Sequence, residues 1–165
     1  MRVYISGKIG EDFLSMGTIE KFARAKKMLL ESGKFTGVFD PADTNHQSKL
    51  RKDYDFWSVL EGNIDRYTYY LKEDLKALAL LDAVYMLEDW KKSPGATAEY
   101  YTALAMKKQM FFQERVHACE YLCRRMWQEV RSGKPPKGYL DMISNDAEIT
   151  YINNHLSEVW LPIGD

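Results

Sequence analysis

A chain of 165 residues, 45% hydrophobic and 28% charged, has the composition of one ordinary globular domain with room for a sizeable core. The formal net charge of −1 provides no bulk attraction for polymeric nucleic acid or an anionic membrane surface, and no apolar run approaches the length of a membrane span. We therefore expect neither nucleic-acid polymer nor membrane as a partner.

The redox state of the two cysteines follows from their spacing and from the amino end of the chain. Cys119 and Cys123 lie one helical turn apart, which favours reduced thiols on a helix face. The amino end is strand-like and does not resemble a signal peptide. His117 alone does not complete a set of metal ligands. These features predict a cytoplasmic protein without a metal site at these residues.

The first third of the chain reads as two strand-turn units. Residues 2–6 predict a strand, and residues 6–10 a small turn of the kind that lets a backbone approach a phosphate or simply joins a strand to a helix. Residues 18–32 carry a helical apolar stripe. Residues 35–39 form a second predicted strand, which ends at the acidic turn 40–43. Both turns would then lie on the same edge of a parallel sheet.

Residues 44–66 have the least legible pattern. The segment is polar at first and aromatic later, with apolar spacing for one or two helical turns. A loop of this length within a compact domain tends to be functional or to contain a helix. We expect a flap near the sheet edge, with His46 as a solvated loop residue.

Residues 74–99 contain the pattern around which the chain is organised. A helix over about 64–81 is followed by a buried strand over 83–87, a turn at Pro94-Gly95 and a helix from about Ala96 that has Glu99 in its first turn. A further strand is predicted over 109–113. The order βαβαβαβ indicates a parallel sheet with helices on its faces.

The last third of the chain reads as helical, with predicted helices over 114–131 and about 145–156. We therefore expect an α/β, Rossmann-like (flavodoxin-like) parallel sheet of four to five strands flanked by helices. The predicted domains are an α/β domain over 1–113 and a C-terminal helical extension over 114–165. Such appended helices pack on the core or form a dimer interface.

Three carboxylates surround the predicted strand 83–87. Asp74 precedes it, Asp82 opens it, and Glu99 follows it at a helix N-terminus, where the macrodipole favours the ionised form by roughly 0.3–1 kcal/mol. An ionised carboxylate can attack an anomeric carbon while a second carboxyl handles protons. From spacing alone, Glu99 is equally a good first-turn residue and Asp74 a surface carboxylate between lysines.

Five segments of the chain form a recognisable set of motifs. They are Tyr4-Ile5-Ser6-Gly7, Asp40-Pro41-Ala42, Asp74-Leu75, residues 81–87 and residues 90–99, which include Ser93-Pro94-Gly95-Ala96-Thr97-Ala98-Glu99. Together they resemble the nucleoside 2-deoxyribosyltransferase superfamily, which includes deoxynucleoside 5′-monophosphate N-glycosidases and a compact bacterial and phage branch. The similarity covers about residues 1–113, without 45–63.

The resemblance implies roles for individual residues. Glu99 would be the nucleophile of a covalent deoxyribosyl-enzyme, Asp74 would manage the proton of the leaving base, and Tyr4 would hold the Glu99 carboxylate. Asp82 would be structural. The substrate-binding residues would be Ser6, Gly7, Lys8, Asp40, Ser93 and Gly95, with Ser93 near the 5′-phosphate and Lys8 where the monophosphate glycosidases carry an arginine.

The resemblance implies cleavage or transfer of the N-glycosidic bond of a 2′-deoxynucleoside or its 5′-monophosphate, in a homodimer or larger homo-oligomer. The implied reaction needs no metal and no organic cofactor. Two alternatives stay open. One is a non-catalytic nucleotide-binding or sensing module on the same fold. The other is a phosphoribohydrolase of the lysine-decarboxylase-like group. That group has a characteristic glycine-rich loop, and residues 93–97 resemble it only in part.

Overall fold

The computed structural model describes residues 1–10, 14–62, 64–136 and 146–163. Within these ranges no helix is both long enough and apolar enough to cross a bilayer. The strands are Arg2–Ser6 (β1), Gly37–Phe39 (β2), Ala83–Met86 (β3) and Gln109–Phe112 (β4), and the helices are Met16–Glu31 (α1), Thr44–Glu61 (α2), Arg66–Ala79 (α3), Pro94–Ala105 (α4), Arg115–Arg131 (α5) and Asp146–Val159 (α6).

The four described strands form one all-parallel sheet in the order β2-β1-β3-β4, flanked by helices. β1 pairs with β2 through Val3 and Val38, and with β3 through Tyr4 and Val84. The expected α/β Rossmann-like fold is therefore confirmed. The strand order reverses between β1 and β3, and in such sheets ligands bind in the crevice beyond the carboxyl ends of the two central strands.

Burial in the central strands is continuous. Val3, Tyr4 and Ile5 of β1 have no exposed surface, and all four residues of β3 are equally buried. A parallel sheet with both faces covered requires apolar side chains in both directions. This is why Tyr4 is in the core even though it alternates with its neighbours.

Polar caps set the starts of the helices around the carboxyl edge of the sheet. The side chain of Asp43 accepts hydrogen bonds from the backbone of Asn45 and His46, and Asp65 accepts one from Thr68. Ser93 caps α4, which begins two residues earlier than predicted, with Pro94 in its first turn. Glu99 is therefore the sixth residue of α4 and not a first-turn residue.

The prediction of a flap over 44–66 is wrong, because most of this segment is the 18-residue helix α2. Leu50 is its only fully buried residue, so the helix shows no continuous apolar stripe. The Asp43 cap was the legible signal for the helix start.

The chain divides into two compact units, Met1–Met110 with Ile163, and Phe111–Pro162. The division falls within β4. In the second unit, the Tyr151 hydroxyl lies between two side chains of α5, accepting a hydrogen bond from Arg125 and donating one to Glu129. Asn145, the expected start of the last helix, lies outside the described residues.

Candidate functional site

A cavity of about 360 Å³ lies in the first unit, at the point where the strand order reverses. Its lining comes from the turn after β1, from Leu14 just before α1, from α2, from α3 as far as Asp74, and from the first turns of α4. The described lining residues are Gly7, Ile9, Gly10, Leu14, Gln47, Asp65, Arg66, Tyr67, Tyr70, Leu71, Asp74, Ser93, Gly95, Ala96 and Glu99.

The Glu99 carboxylate is held on both oxygens. Tyr4 donates its hydroxyl to Oε1 over 2.7 Å, and Ser6 donates its hydroxyl to Oε2 over 2.5 Å. Both donors come from β1, and Ser6 is fully buried. Glu99 is 6% exposed, on the buried stripe of α4 with Ala96, Tyr100 and Ala103. The geometry thus fixes the carboxylate at the wall of the cavity.

Burial raises the pKa of Glu99 to about 8; the nearby charge of Asp74 also raises it, and the hydrogen bonds from Ser6 and Tyr4 lower it. Burial therefore outweighs the helix dipole, which was expected to favour the ionised form. The dipole acts mainly within the first turn, whereas Glu99 lies in the second and has lost its water. The raised pKa favours the neutral acid in the free protein.

Asp74 also lines the cavity and is 8% exposed, so the view of it as a surface carboxylate is wrong. Burial raises its pKa, while the nearby His46 side chain lowers it. His46 Nε2 lies 3.6 Å from Asp74 Oδ1. His46 is therefore not the solvated loop residue that the sequence suggested, but part of α2 beside a buried carboxylate.

The turn after β1 is fastened to the end of β3. Asp89 accepts a hydrogen bond from the Lys8 backbone over 3.1 Å and one from Lys21 Nζ. A Cβ at Gly7 would lie 2.7 Å from a methyl carbon of Leu87, so the close approach requires glycine. Gly7 lines the cavity, whereas the Lys8 side chain is exposed and does not.

Ser93 and Gly95 both line the cavity at the start of α4. Ser93 Oγ accepts a hydrogen bond from the Ala96 backbone over 3.2 Å. A Cβ at Gly95 would meet Tyr67 Oη at 3.6 Å, which is an ordinary contact. The described residues therefore leave space beside the Gly95 backbone.

Asp40, a predicted substrate-binding residue, does not line the cavity. It is 7% exposed, and its carboxylate accepts a hydrogen bond from the Ala42 backbone over 2.8 Å. Burial raises its pKa. In this structure Asp40 shapes the turn after β2, which leads to the Asp43 cap of α2.

Sequence reasoning missed several lining residues: Gln47, Arg66, Tyr67 and Tyr70. Arg66 and the two tyrosines lie in the first turns of α3, and the Arg66 guanidinium lies 5.5 Å from the centre of the Tyr70 ring. Asp65 is the cap that would have placed them at a helix start on the carboxyl edge.

No group of three or more His, Cys, Asp or Glu side chains that could hold a metal ion occurs among the described residues. The fold and the cavity define a parallel α/β protein with two buried acidic residues, Glu99 and Asp74, at the carboxyl edge of its central strands. The family model described as "Domain of unknown function (DUF4406)" matches residues 1–112, and the chain belongs to this family. No curated protein and no solved structure matched the chain.

Proposed function

We propose that this protein cleaves or transfers the N-glycosidic bond of a 2′-deoxynucleoside or its 5′-monophosphate, with Glu99 as the nucleophile. The observation that carries the proposal is the Glu99 carboxylate, buried at the cavity wall with each oxygen held by a hydroxyl from β1. A purely structural glutamate would be expected to lie in solvent or in an ion pair, because burial of a carboxylate is costly.

The reaction is a double displacement with retention. A Glu99 oxygen forms a bond to C1′ of the sugar, and the electron pair of the C1′–N bond leaves with the base. Asp74 in its protonated form gives its proton to the departing base. Water, or a second base, then attacks C1′ and releases Glu99, and the Asp74 carboxylate takes the proton of the attacking group.

The raised pKa values suit the role of Asp74 as a proton donor better than the role of Glu99 as a nucleophile. The raised pKa of Asp74 suits a group that must donate a proton. The raised pKa of Glu99 opposes its role as an anion, and the donors Tyr4 and Ser6 act against that cost. If Asp74 and Glu99 share one proton when the substrate is bound, that proton must be on Asp74, because Glu99 has to be ionised to act as the nucleophile.

The cavity also offers contacts for the rest of a nucleotide. Tyr67 and Tyr70 provide aromatic surface for a base. Arg66 is the only cation among the described lining residues, and Gly95 exposes helix-terminal backbone, so a phosphate would find both nearby. This is the basis for including the monophosphates as substrates.

The test is release of free base. The protein is incubated with the 2′-deoxynucleosides and their 5′-monophosphates, with and without an added acceptor base, and the products are separated by chromatography. Free base without an acceptor identifies hydrolysis, and a new nucleoside with an acceptor identifies exchange. Both must disappear in Glu99→Ala. A panel without any turnover contradicts the proposal.

One observation favours a second candidate, a nucleotide-binding module without catalysis. With a pKa of about 8, Glu99 is a neutral hydrogen-bonding acid at pH 7, as a binding site can use. Calorimetry separates the two candidates. A sensor binds one nucleotide and leaves it intact, whereas the enzyme retains binding in Glu99→Ala and loses only turnover.

The resemblance further suggests a homodimer or larger assembly, and the spacing of Cys119 and Cys123 suggests a cytoplasmic location. Size-exclusion chromatography with light scattering tests the assembly. Fractionation of the producing cells tests the location.

A further inference from the structure

The contact between His46 and Asp74 leaves a buried polar pair without a completed hydrogen bond. Nε2 of His46 and Oδ1 of Asp74 are both buried, and neither atom has a hydrogen-bond partner among the described residues. They lie 3.6 Å apart, slightly beyond hydrogen-bond distance. Unsatisfied buried polar groups are costly, so they are rare without a functional or structural reason.

Two neighbours, Asp43 and Phe39, hold His46 in this place. Its backbone donates to the Asp43 cap of α2 over 3.2 Å. The Phe39 ring meets the imidazole edge to face, with the ring centres 4.9 Å apart. The side chain is 22% exposed, against 11% for that of Asp74. His46 on α2 therefore contacts the Asp74 carboxyl group from within the protein, because His46 is not among the residues that line the cavity.

We propose that His46 is the positioning residue for Asp74, and that its imidazole fixes the carboxyl group and stabilises the carboxylate that forms when Asp74 gives up its proton. The inference rests on the proposed function. It assigns α2, which lies in the segment outside the resemblance, a part in the chemistry.

Proton transfer from Asp74 accompanies the departure of the base. The C1′–N bond breaks, the leaving base keeps the electron pair, and the carboxyl proton of Asp74 moves to that base. Asp74 is left as an anion with Oδ1 facing Nε2 of His46, and a small approach closes the 3.6 Å gap to a charge-assisted hydrogen bond. The bond is stronger after proton transfer than before, so it favours the transition state.

Other charged groups act on the same pair from several elements. Glu73 on α3 and Glu99 on α4 interact with Asp74 through their charges, and Asp40 does so with His46. All three are acidic. An imidazole is therefore the basic group that balances a growing negative charge on Asp74, which distinguishes it from a mere space-filling ring.

The test is a double-mutant cycle on base release from the 2′-deoxynucleosides and their 5′-monophosphates, using whichever compounds the protein turns over. His46→Phe keeps an aromatic ring and removes the donor. We expect kcat to fall about ten- to a hundredfold, with KM nearly unchanged. Combined with Asp74→Asn, it should cause little further loss, because His46 acts through Asp74.

Two further variants separate positioning from folding. His46→Gln restores a neutral donor and should recover part of the lost kcat. Tyr54→Phe removes the hydrogen bond from α2 to the Ile64 carbonyl, away from Asp74, and should leave kcat at the wild-type value. Thermal unfolding of each variant checks that the fold is retained.

Each outcome decides the matter. Non-additive loss with recovery in His46→Gln supports the inference. Losses that multiply in the double variant, or a KM effect without a kcat effect, overturn it and leave the proposed function standing. If the wild-type protein releases no base from any compound, the proposed function fails and this inference fails with it.

Discussion

The two ends of the same pair of strands, β1 and β3, carry acidic residues in opposite circumstances. At the amino ends, Asp82 accepts a hydrogen bond from the Arg2 backbone over 2.7 Å and lies 3.5 Å from the Arg2 guanidinium. Its side chain is 48% exposed, and these contacts lower its pKa. At the carboxyl ends, Glu99 is buried, and its pKa is raised to about 8.

The difference shows which carboxylate stabilises the fold. Asp82 ties β1 to β3 in its ionised form, so folding and ionisation favour each other. Glu99 bridges to the same strand through Tyr4 and Ser6, yet its ionisation opposes folding. A costly carboxylate at the end of a sheet where ligands bind is a candidate for function.

The largest expected effect is a difference in catalytic activity between variants at the two ends of the strands. We expect Glu99→Gln to lower kcat for base release by at least about a thousandfold, since it removes the nucleophile. Asp82→Asn, the matched change at the other end of the strands, should leave kcat near the wild-type value. The measurement is the steady-state kcat of the two variants. Equal losses of kcat in both would show that the loss reflects a damaged fold and not the removal of a nucleophile.

The second prediction concerns stability against pH. The folded-state pKa of Glu99 is above its unfolded value, so its favourable contribution is complete below about pH 4.5 and is lost as pH rises through about 8. Glu99→Gln should therefore be more stable than the wild type at pH 8–9, by on the order of a few kcal/mol. Urea unfolding at several pH values measures this.

Asp82→Asn should show the opposite dependence. Because the folded-state pKa of Asp82 is lowered, its contribution is present above its unfolded pKa and lost as pH falls through the folded value. The variant should be less stable than wild type at pH 7, and the difference should vanish in acid. A Glu99→Gln protein that loses stability at pH 8–9 would contradict the account of the carboxyl edge.

The third prediction sharpens the role of the two donors. Ser6→Ala and Tyr4→Phe each remove one hydrogen bond that favours the ionised Glu99, so the pKa of Glu99 should rise further in both variants. We expect kcat to fall about tenfold in each, with folding retained. Rates and unfolding transitions are measured together. Unchanged rates in both would mean that Glu99 does not need these donors.

The smallest effect is expected at Gly95. Among the described residues beyond its own helical turn, the nearest atom to an added Cβ is Tyr67 Oη at 3.6 Å. Because alanine also favours a helix, Gly95→Ala should keep or slightly increase stability. If a ligand approaches this backbone, KM should rise severalfold while kcat stays the same. An unchanged KM would remove Gly95 from the binding site.

The sheet and the positions of most elements could be predicted from sequence because apolar runs and glycine or proline turns are local signals. The structure of segment 44–66 could not be predicted in the same way. Because α2 buries only Leu50, its sequence has no apolar stripe that would indicate a helix. Its start was nevertheless readable at Asp43, a capping residue after a turn.

The two central acids had a sequence signal that was easily overlooked. Asp74 lies on the stripe Leu71, Leu75 and Leu78, and Glu99 on the stripe Ala96, Tyr100 and Ala103. An acid at a buried helical position predicts a functional or paired group. The raised pKa of Glu99 and the approach of His46 were not predictable, because both depend on packing between elements distant in sequence.

The most direct test of the account is a search for the covalent intermediate. The protein is mixed with a compound that it turns over, quenched in acid within the first turnovers, and analysed by intact and peptide mass spectrometry. The account predicts a mass increase of one deoxyribosyl group, with its phosphate where the substrate carries one, located on Glu99. Free base released with no adduct on Glu99 at any time would contradict a double displacement at this residue.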